Sequence, residues 1–385
     1  MDTYKIAVLI RDYDFSGGGS QKYCVELTNK LGILHEVDVY TQNIASPSAK
    51  VNYYKIPRLL KKPRFINQLL FSWLTKLAIK NSGKHYDIVH SHDTVTHANV
   101  YTLHVDCVKT KWSKKSKIGK FLYAISLATS PRMLAYLWLE YKKLTIAPNK
   151  QFIVVSGYLE RNLLASYPNI KQLISHAPPG VDLNSTSQPE ASDLRNNFRK
   201  RHHMNEDAYV LLFIAHDFKR KGLNTIIKAL EKLENNQIYL LVAGKDNSDK
   251  AVFQSELVKK NTLFLGSITD TSQIYPVADT LVHPTLNDTY GMVVLEAMLH
   301  QLSVIVSEQT YCGASEYFNN QEVIILENPK DYDYLSKQIK NLYEKPEARN
   351  YMAKNGFNKA QTYTWEKTLE DTLNAYHKAL NDEPY

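Results

Sequence analysis

The sequence predicts an α/β protein built from two doubly wound, Rossmann-like domains. Its 385 residues are too many for one ordinary hydrophobic core. In both halves short aliphatic runs alternate with longer helical stretches, the pattern of parallel sheets covered by helices on both faces. A polar segment, DLNSTSQPEASD at 182–193, separates the halves. We therefore predict domains at 1–185 and 190–365, followed by a helix at 366–385 that packs back on the first domain.

Strands are predicted where aliphatic and β-branched runs are bounded by turn residues. In the first domain these runs are YKIAVLI, EVDVY, VNYYKI, DIVHSH, VYTLHV and FIVVS, and in the second AYVLLFIA, IYLLVAG, TLFLG, TLVHP, SVIVS and EVIIL. Ligands of doubly wound sheets bind outside the carboxyl ends of the strands. The candidate functional residues are therefore the polar residues and glycines that follow each strand.

The first candidate is a run of glycines, Gly17 to Gly19, between the first strand and a helix predicted to start near Ser20. Glycines let the backbone approach a phosphate closely, and a helix N-terminus offers free N–H groups. Gly18 and Gly19 are therefore predicted to contact a diphosphate. The alternative is an ordinary glycine-rich turn, because the full dinucleotide-binding spacing is absent.

A basic turn, FKRKG, follows the first strand of the second domain. Arg220 and Lys221 lie there between a strand end and a helix N-terminus, an arrangement that favours a diphosphate. A solvated basic turn is the alternative. Two further strands end at Gly244 and Gly266, where the absence of a side chain would leave room for a flat base or a sugar.

Two acids, Asp288 and Glu296, lie in NDTYGMVVLEAM after the strand TLVHP. A helix is predicted to begin near Gly291, which places Asp288 in the loop and Glu296 one turn into the helix. Asp288 could accept hydrogen bonds from sugar hydroxyls and Glu296 from a ribose diol, with the N–H groups of 291–293 facing a phosphate. The alternatives are a helix N-cap for Asp288 and a solvated position for Glu296.

In this order, these segments resemble the retaining glycosyltransferases of family 4, which have the GT-B fold of two Rossmann-like domains facing a central cleft. The resemblance extends over nearly the whole chain, including DIVHSH, PPGVDL and the final TWEKTLE. Within the family the chain is most similar to bacterial lipopolysaccharide core glucosyltransferases, through FKRKG, VAGKD and TYCGASEY. The resemblance implies transfer of a sugar, with retention, from a nucleotide diphosphate sugar that is expected to be a UDP-sugar. The implied acceptor is a glycan or glycolipid of lipopolysaccharide or another cell-surface polysaccharide.

The resemblance also implies roles for single residues. Asp288 would contact the transferred sugar and Glu296 the ribose, while Arg220 and Lys221 would neutralise the diphosphate and Gly19 would approach it from the first domain. Gly244 and Gly266 are assigned to the nucleoside. Backbone groups would complete the sugar and phosphate contacts, at Tyr290, Gly291, Met292 and Val293.

For catalysis, the family places a polar residue of the first domain near the anomeric carbon. His104 and Asp106, at the end of the strand VYTLHV, are the candidates, and a structural role is the alternative for His104. The diphosphate leaving group itself would help to deprotonate the acceptor. No metal and no cofactor are expected.

Two positions depart from the family. It usually has Glu where this chain has Asp288, so the carboxylate is shorter in reach by about 1.5 Å. Many members have Arg where this chain has His216, a charge that Arg220 could replace. Both departures concern the choice of donor sugar and the grip on the diphosphate.

The positive charge is concentrated in the first half. The chain has a net charge of +8, but residues 1–187 carry 25 Lys and Arg against 12 Asp and Glu, whereas the rest carries 22 against 27. The segments RLLKKPRF at 58–65 and KTKWSKKSKIGK at 109–120 suit an anionic glycolipid acceptor and an anionic membrane surface. The alternative for the second segment is a solvated lysine-rich loop.

The composition, with 44% hydrophobic and 22% charged residues, is that of a soluble globular protein. We see no signal-peptide cleavage site, and charges or proline interrupt the longest apolar stretches, so no spanning helix is expected. Three scattered cysteines indicate a reducing compartment: Cys24, Cys107 and Cys312. We expect a cytoplasmic protein, peripheral on the inner face of the membrane.

Two other functions fit parts of the sequence. A nucleotide-sugar epimerase of the same architecture would use the donor alone and would need no acceptor. A nucleic-acid-binding protein would use the basic half, but no recognition helix or RNA-binding aromatic motif is present, and the second-domain site would have no role. No nucleic-acid partner is therefore predicted.

Overall fold

The computed structural model describes residues 3–113, 119, 123, 129–186, 191–205, 207–246 and 251–381. It divides into two compact units, the first formed by Met1–Gly180 with Trp365–Tyr385 and the second by Val181–Thr364. Each unit contains a parallel β-sheet with helices. The prediction of two doubly wound α/β domains is thus confirmed.

The first unit is organised around a parallel sheet of seven described strands in the order β5-β3-β1-β6-β7-β8-β9, and β2 pairs separately with β4. The strands are β1 Lys5–Leu9, β2 Asp12–Tyr13, β3 Glu36–Thr41, β4 Asn43–Ile44, β5 Asn52–Lys55, β6 Ile88–Ser91, β7 Val100–Leu103, β8 Gln151–Val154 and β9 Ile174–His176. The described helices are α1 Gly19–Leu34, α2 Arg64–Asn81, α3 Val108–Ser113, α4 Pro131–Leu144, α5 Gly157–Leu164 and, from the C-terminus, α13 Trp365–Asn381.

The second unit has a parallel sheet of six described strands in the order β12-β11-β10-β13-β14-β15. The strands are β10 Tyr209–Ile214, β11 Ile238–Ala243, β12 Thr262–Gly266, β13 Thr280–His283, β14 Ser303–Ser307 and β15 Ile324–Leu326. The described helices are α6 Ala191–Arg201, α7 Phe218–Lys221, α8 Leu223–Leu233, α9 Glu256–Lys260, α10 Met292–Leu299, α11 Tyr332–Glu344 and α12 Pro346–Ala360.

The core of the second unit lies between the sheet and its helices. Leu211 and Phe213 of β10 and Leu240 and Val242 of β11 have no exposed surface, and they form one cluster with the buried face of α8. Strands buried on both faces appear in the sequence as continuous aliphatic runs. This explains why fully buried strands such as β10 and β11 are readily predicted. All twelve predicted strands are present, whereas the short strands β2, β4 and β9 were not predicted.

The order of the strands determines which strand ends are neighbours. In each sheet the connections reverse direction next to the first strand of the unit, between β1 and β6 and between β10 and β13. A crevice opens at the carboxyl end of such a switch point, and ligands of doubly wound folds bind there. In the second unit the switch point brings the basic turn after β10 next to the acidic segment after β13.

The C-terminal helix α13 (Trp365–Asn381) belongs to the first unit. Its Thr368 hydroxyl donates to the carbonyl of Pro178 at 2.7 Å, and the Tyr376 hydroxyl lies 2.7 Å from His90 Nδ1. Tyr376 is fully buried. The last helix of the chain is therefore part of the core of the first unit.

No helix among the described residues is both long enough and apolar enough to cross a membrane.

Candidate functional site

Asp288 lies at the carboxyl end of β13 and is held there by two side chains. Lys221 donates from Nζ to Asp288 Oδ2, and His283 Nε2 lies 3.1 Å from the same oxygen. The side chain of Asp288 is 18% exposed. Helix α10 is capped instead by Gly291, without a side-chain hydrogen bond. The N-cap interpretation of Asp288 is therefore wrong.

The backbone fixes the position of this acid. Asp288 N donates to the carbonyl of Tyr311 at 2.7 Å, and the carbonyl of Asp288 accepts from Gly313 N at 3.0 Å. Gly291 has φ 99°, and a Cβ there would lie 2.8 Å from Cys312 Sγ. Glycine is thus required both for the backbone conformation and for the close approach of residue 312.

The electrostatics keep Asp288 ionised. Burial alone would raise its pKa, but the positive charge of Lys221 and the hydrogen bond from His283 lower the pKa far below its usual range. Burial lowers the pKa of His283, so its neutral imidazole donates from Nε2 to the carboxylate. Burial raises the pKa of the Cys312 thiol to about 12, so this side chain stays protonated.

The basic turn is fixed to the acidic segment. Asp217 caps α7 by accepting from Arg220 N at 3.1 Å and from Arg220 Nε at 3.2 Å. A guanidinium nitrogen of Arg220 donates to the carbonyl of Asn287 at 2.7 Å, and Leu286 N donates to the carbonyl of Arg220 at 2.9 Å. The structure thus places the two predicted cations, Arg220 and Lys221, beside the loop that carries Asp288.

Glu296 is the fifth residue of α10 and is held by a tyrosine. The hydroxyl of Tyr275 donates to Glu296 Oε2 at 2.6 Å. Tyr275 is 1% exposed, and burial raises its pKa well above the usual value, so the phenol remains a donor. His300 stacks on the Tyr275 ring with 4.9 Å between centroids. Glu296 is therefore oriented by Tyr275, a contact that its interpretation as a solvated residue did not include.

The remaining predicted residues of the second unit lie at the same edge of the sheet. Tyr290 is 4% exposed, and its carbonyl accepts from Ala314 N at 2.7 Å. Met292 and Val293 begin α10 and are half-buried. The first N–H groups of an α-helix have no partner within the helix, and those of 292 and 293 lie at the switch point.

Gly244, which follows β11, and Gly266, which ends β12, differ in their surroundings. A Cβ on Gly244 would lie 1.6 Å from the carbonyl oxygen of Ala215, whereas a Cβ on Gly266 would meet nothing within 4 Å. Close packing of the chain therefore explains Gly244 without a ligand. The nucleoside-binding role of both glycines stays a prediction.

In the first unit the glycine turn leads directly into α1. Gly18 is the N-cap, with φ 138° and no side-chain hydrogen bond, and the helix begins at Gly19, one residue before the predicted start. The carbonyl of Gly18 accepts from Lys22 N at 2.9 Å. This helix N-terminus follows β1 and hence lies at the switch point of its own sheet.

His104 is half-buried and packs against the buried rings of His92 and Tyr23. Its Nε2 lies 3.1 Å from His92 Nδ1, and its ring is 5.1 Å from that of Tyr23. Burial lowers its pKa to about 3, with a contribution from the charge of Lys143. His104 is thus neutral and oriented by His92, which the sequence did not single out. The Asp106 carboxylate accepts a hydrogen bond from Asn162 Nδ2 at 2.9 Å.

Two family models match the chain, one in each half: glycosyltransferase family 4 over residues 17–185 and glycosyl transferases group 1 over residues 195–359. An uncharacterized glycosyltransferase of Methanocaldococcus jannaschii is 26% identical over 90% of both chains. The lipopolysaccharide glucosyltransferase WaaG of Escherichia coli is 27% identical over 48% of this chain, and the alignment spans half of WaaG.

Solved structures share the architecture. A crystal structure of WaaG superposes with a TM-score of 0.80 over 95% of this chain and 98% of that chain, at 21% identity. The chain is a GT-B glycosyltransferase. A structure of Anabaena HepE with UDP-glucose has a TM-score of 0.70 over 96% of this chain and 98% of that chain, at 16% identity. The predicted fold, enzyme class and likeness to lipopolysaccharide core glucosyltransferases are thereby confirmed.

Acid should weaken the folded glycosyltransferase partly through Asp288. Because the folded-state pKa is lowered, the stability that this carboxylate contributes is complete above its unfolded pKa of about 3.9 and is lost as the pH falls toward the folded value. We expect the difference in free energy of unfolding between wild type and Asp288→Asn to be constant from about pH 7 to 5 and to shrink below about pH 4. Urea denaturation followed by circular dichroism measures it. A difference that grows on acidification would contradict this assignment.

Proposed function

We propose that this glycosyltransferase moves a sugar from a UDP-sugar to a glycan or glycolipid of the cell surface, with retention at the anomeric carbon. The observation that carries the proposal is the contact between Lys221 and Asp288 next to the N-terminus of α10, with Glu296 one turn further along. Cations, a carboxylate and free N–H groups at one switch point match the groups of a nucleotide diphosphate sugar.

In the proposed reaction the bond between the anomeric carbon and the diphosphate oxygen breaks, and the acceptor oxygen forms the new bond on the same face. The acceptor proton passes to the departing diphosphate. Lys221 and Arg220 stabilise the negative charge that develops on that leaving group. Asp288, kept ionised by Lys221 and His283, is left as a hydrogen-bond acceptor for a sugar hydroxyl.

Retention and metal independence are further parts of the proposal. The anomeric proton coupling of the product, measured by NMR, should report the same configuration as in the donor. Transfer should be unchanged by a chelator such as EDTA. The roles of Gly18, Gly19, His104 and Asp106 toward donor and acceptor belong to the same proposal.

The similarity of HepE in complex with UDP-glucose supports the choice of UDP, as a proposal for this chain. WaaG, a lipopolysaccharide glucosyltransferase, supports a glycolipid acceptor of lipopolysaccharide type. The family usually has Glu at the position of Asp288, which is proposed to contact the sugar. The proposal therefore specifies the nucleotide of the donor more closely than its sugar. A panel of UDP-sugars is therefore the first screen.

Removing the Glu296 carboxylate should weaken UDP binding. A carboxylate that accepts from a ribose diol contributes about 1.5–3 kcal/mol, so Glu296→Ala should raise the Kd of UDP by about 10–100-fold. Tyr275→Phe leaves the carboxylate but removes the hydroxyl that orients it, and should raise the Kd by about 3–10-fold. Isothermal titration calorimetry measures both.

The control for this pair is Glu308→Ala. It removes a carboxylate that follows β14, whereas the Glu296 carboxylate lies within α10. Its Kd for UDP should stay within about twofold of the wild type. An unchanged Kd in Glu296→Ala would contradict the assignment of Glu296 to the nucleoside, and no UDP binding by the wild type would contradict the donor itself.

The first unit has a face that suits a peripheral membrane location. Leu134, Trp138 and Tyr141 of α4 are about half exposed and repeat at positions i, i+4 and i+7, so they lie on one side of the helix. Exposed Lys142 lies on the same helix, and the basic segment 58–65 leads into the first turn of α2. Most of the basic segment at 109–120 lies outside the described residues. Aromatic and basic side chains together favour the interface of an anionic bilayer.

Membrane binding should depend on this helix face and on lipid charge. Trp138→Ser should lower the partition coefficient onto vesicles containing phosphatidylglycerol by about 10–100-fold at low salt, because it removes about 1.5–3 kcal/mol of apolar burial. Tyr351→Ser, which removes an aromatic of the second unit that is also at least half exposed, should have no effect. Vesicle sedimentation measures both. Equal partitioning onto neutral phosphatidylcholine vesicles would contradict the proposal.

A further inference from the structure

The second unit has a polar pocket at the edge of its sheet opposite to Asp288. Its lining includes Ala278 and Asp279, which precede β13, and His300 and Gln301, which follow α10. These residues lie at the amino ends of β13 and β14, whereas the candidate donor site lies at the carboxyl ends. The pocket has a volume of about 380 Å³, within the range of small-molecule sites. It is therefore separate from the residues assigned to the donor.

The charges in this pocket are unequally compensated. Asp279 is fully engaged, because its carboxylate accepts from Arg195 at 2.5 Å and from Val210 N at 2.8 Å and lies 3.5 Å from Arg199. The other cation in the lining, Arg349 of α12, donates to the carbonyl of Leu342 at 3.3 Å. The pocket therefore has an excess of positive charge.

Arg349 is positioned but not neutralised. Its guanidinium lies 5.0 Å from the centroid of the Tyr209 ring, which holds the planar group in place. Among the residues that the structure describes, no carboxylate lies within 4 Å of its nitrogens. A fixed guanidinium with unused N–H donors is suited to bidentate binding of a phosphate. Neighbouring amides at Gln301 and Asn350 suit hydroxyl groups.

We propose that this pocket binds a small phosphate monoester that carries hydroxyl groups, with the phosphate on Arg349 and the hydroxyl groups toward Gln301 and Asn350. The apolar part of the lining, which includes Pro276 and Leu299, fits the carbon skeleton of such a metabolite. The ligand is not the nucleotide sugar, since the groups assigned to that donor lie at the other edge of the sheet.

The pocket is connected to Glu296 by direct contacts. His300, in the lining, stacks on Tyr275 at 4.9 Å, and Tyr275 donates to Glu296 at 2.6 Å. A ligand that moves His300 would therefore change the orientation of the Glu296 carboxylate. The phosphate monoester then modulates the affinity for the nucleotide, and by linkage the nucleotide modulates the affinity for the phosphate monoester to the same degree. This second step rests on the proposed role of Glu296.

Binding is tested with glycerol 3-phosphate as the probe, by isothermal titration calorimetry on the full chain without nucleotide. Arg349→Gln should raise the Kd of the probe at least tenfold, and Arg349→Lys, which keeps the charge without the fork, should raise it by less. Lys221→Ala at the donor site and Lys354→Gln, an exposed cation of the same helix, should leave it within about twofold. Circular dichroism shows whether each variant is folded.

Two results would overturn the pocket. One is no heat of binding with glycerol 3-phosphate at millimolar concentrations. The other is binding that persists in Arg349→Gln and Arg349→Lys but is lost in Lys221→Ala, which would assign the probe to the donor site.

Coupling is tested by titrating UDP in the presence and absence of saturating glycerol 3-phosphate. We expect the Kd of UDP to change at least fivefold in the wild type, and less than twofold in Tyr275→Phe, which lacks the contact to Glu296. An unchanged Kd in the wild type overturns the coupling and leaves the pocket in place. Failure of UDP to bind at all overturns the proposed donor. The phosphate site is then still tested independently, by whether binding of glycerol 3-phosphate depends on Arg349.

Discussion

Replacing Lys221 with methionine is expected to lower kcat/KM for sugar transfer by about 10²–10³-fold. Lys221 is 9% exposed and contacts Asp288, so its ammonium acts at short range in a site with little water. Removing one preorganised group that stabilises developing charge on a leaving group has an effect of this size. Methionine retains most of the volume and apolar contact of the lysine stem, so the loss reports the charge.

The matched control is Lys219→Met, which removes an exposed cation two residues away on the same helix. It should leave the rate within about twofold. Lys221→Met also leaves the Asp288 carboxylate without its cation, which should destabilise the second unit by about 3–5 kcal/mol, so assays belong at a temperature where circular dichroism shows a folded protein. Equal rates for the two variants would mean that Lys221 only stabilises Asp288.

The sequence was sufficient to locate both halves of this site, because each lies directly after a strand that is buried on both faces. Arg220 and Lys221 follow β10, and Asp288, which follows β13, lies 67 residues after Lys221. What the sequence could not provide is the order of the strands. Only the sheet order places β13 next to β10, and this neighbour relation brings Lys221 into contact with Asp288.

The positioning residues were missed for a different reason. His283 is the last residue of β13, and Tyr275 lies in a short helical turn, so both appear in the sequence as ordinary core positions. Their polar atoms become significant only through partners that are 5 and 21 residues away, Asp288 and Glu296. A histidine or tyrosine in a buried segment needs a hydrogen-bond partner, and this requirement is the signal that could have prompted a search.

His104 shows the same limit in the first unit. Its position after a strand made it a candidate, but its partner His92 follows a different strand that the sheet order places alongside. The hydrogen bond between the two rings gives His104 a structural partner, and His104 still lies at the carboxyl end of the sheet. Both interpretations of His104, catalytic and structural, are therefore consistent with this geometry.

Gly244→Ala is expected to destabilise the second unit by at least about 3 kcal/mol. The new Cβ would lie 1.6 Å from the Ala215 carbonyl oxygen, a separation that no pair of atoms tolerates without movement of the backbone. Gly244 also has φ 147°, and its N–H donates to the Gly266 carbonyl at 2.7 Å. Relief of the clash would therefore disturb the carboxyl ends of β10, β11 and β12 together.

Gly266→Ala is the matched control, since Gly266 also has a positive φ of 67° but would place its Cβ in open space. Alanine at position 266 would be disfavoured only by the left-handed backbone conformation, which costs about 1–2 kcal/mol. Urea denaturation followed by circular dichroism separates the two variants. A loss at Gly244 no larger than at Gly266 would show that the strand ends adjust easily. The glycine would then be explained by the nucleoside rather than by packing, and the Kd of UDP for Gly244→Ala would have to rise.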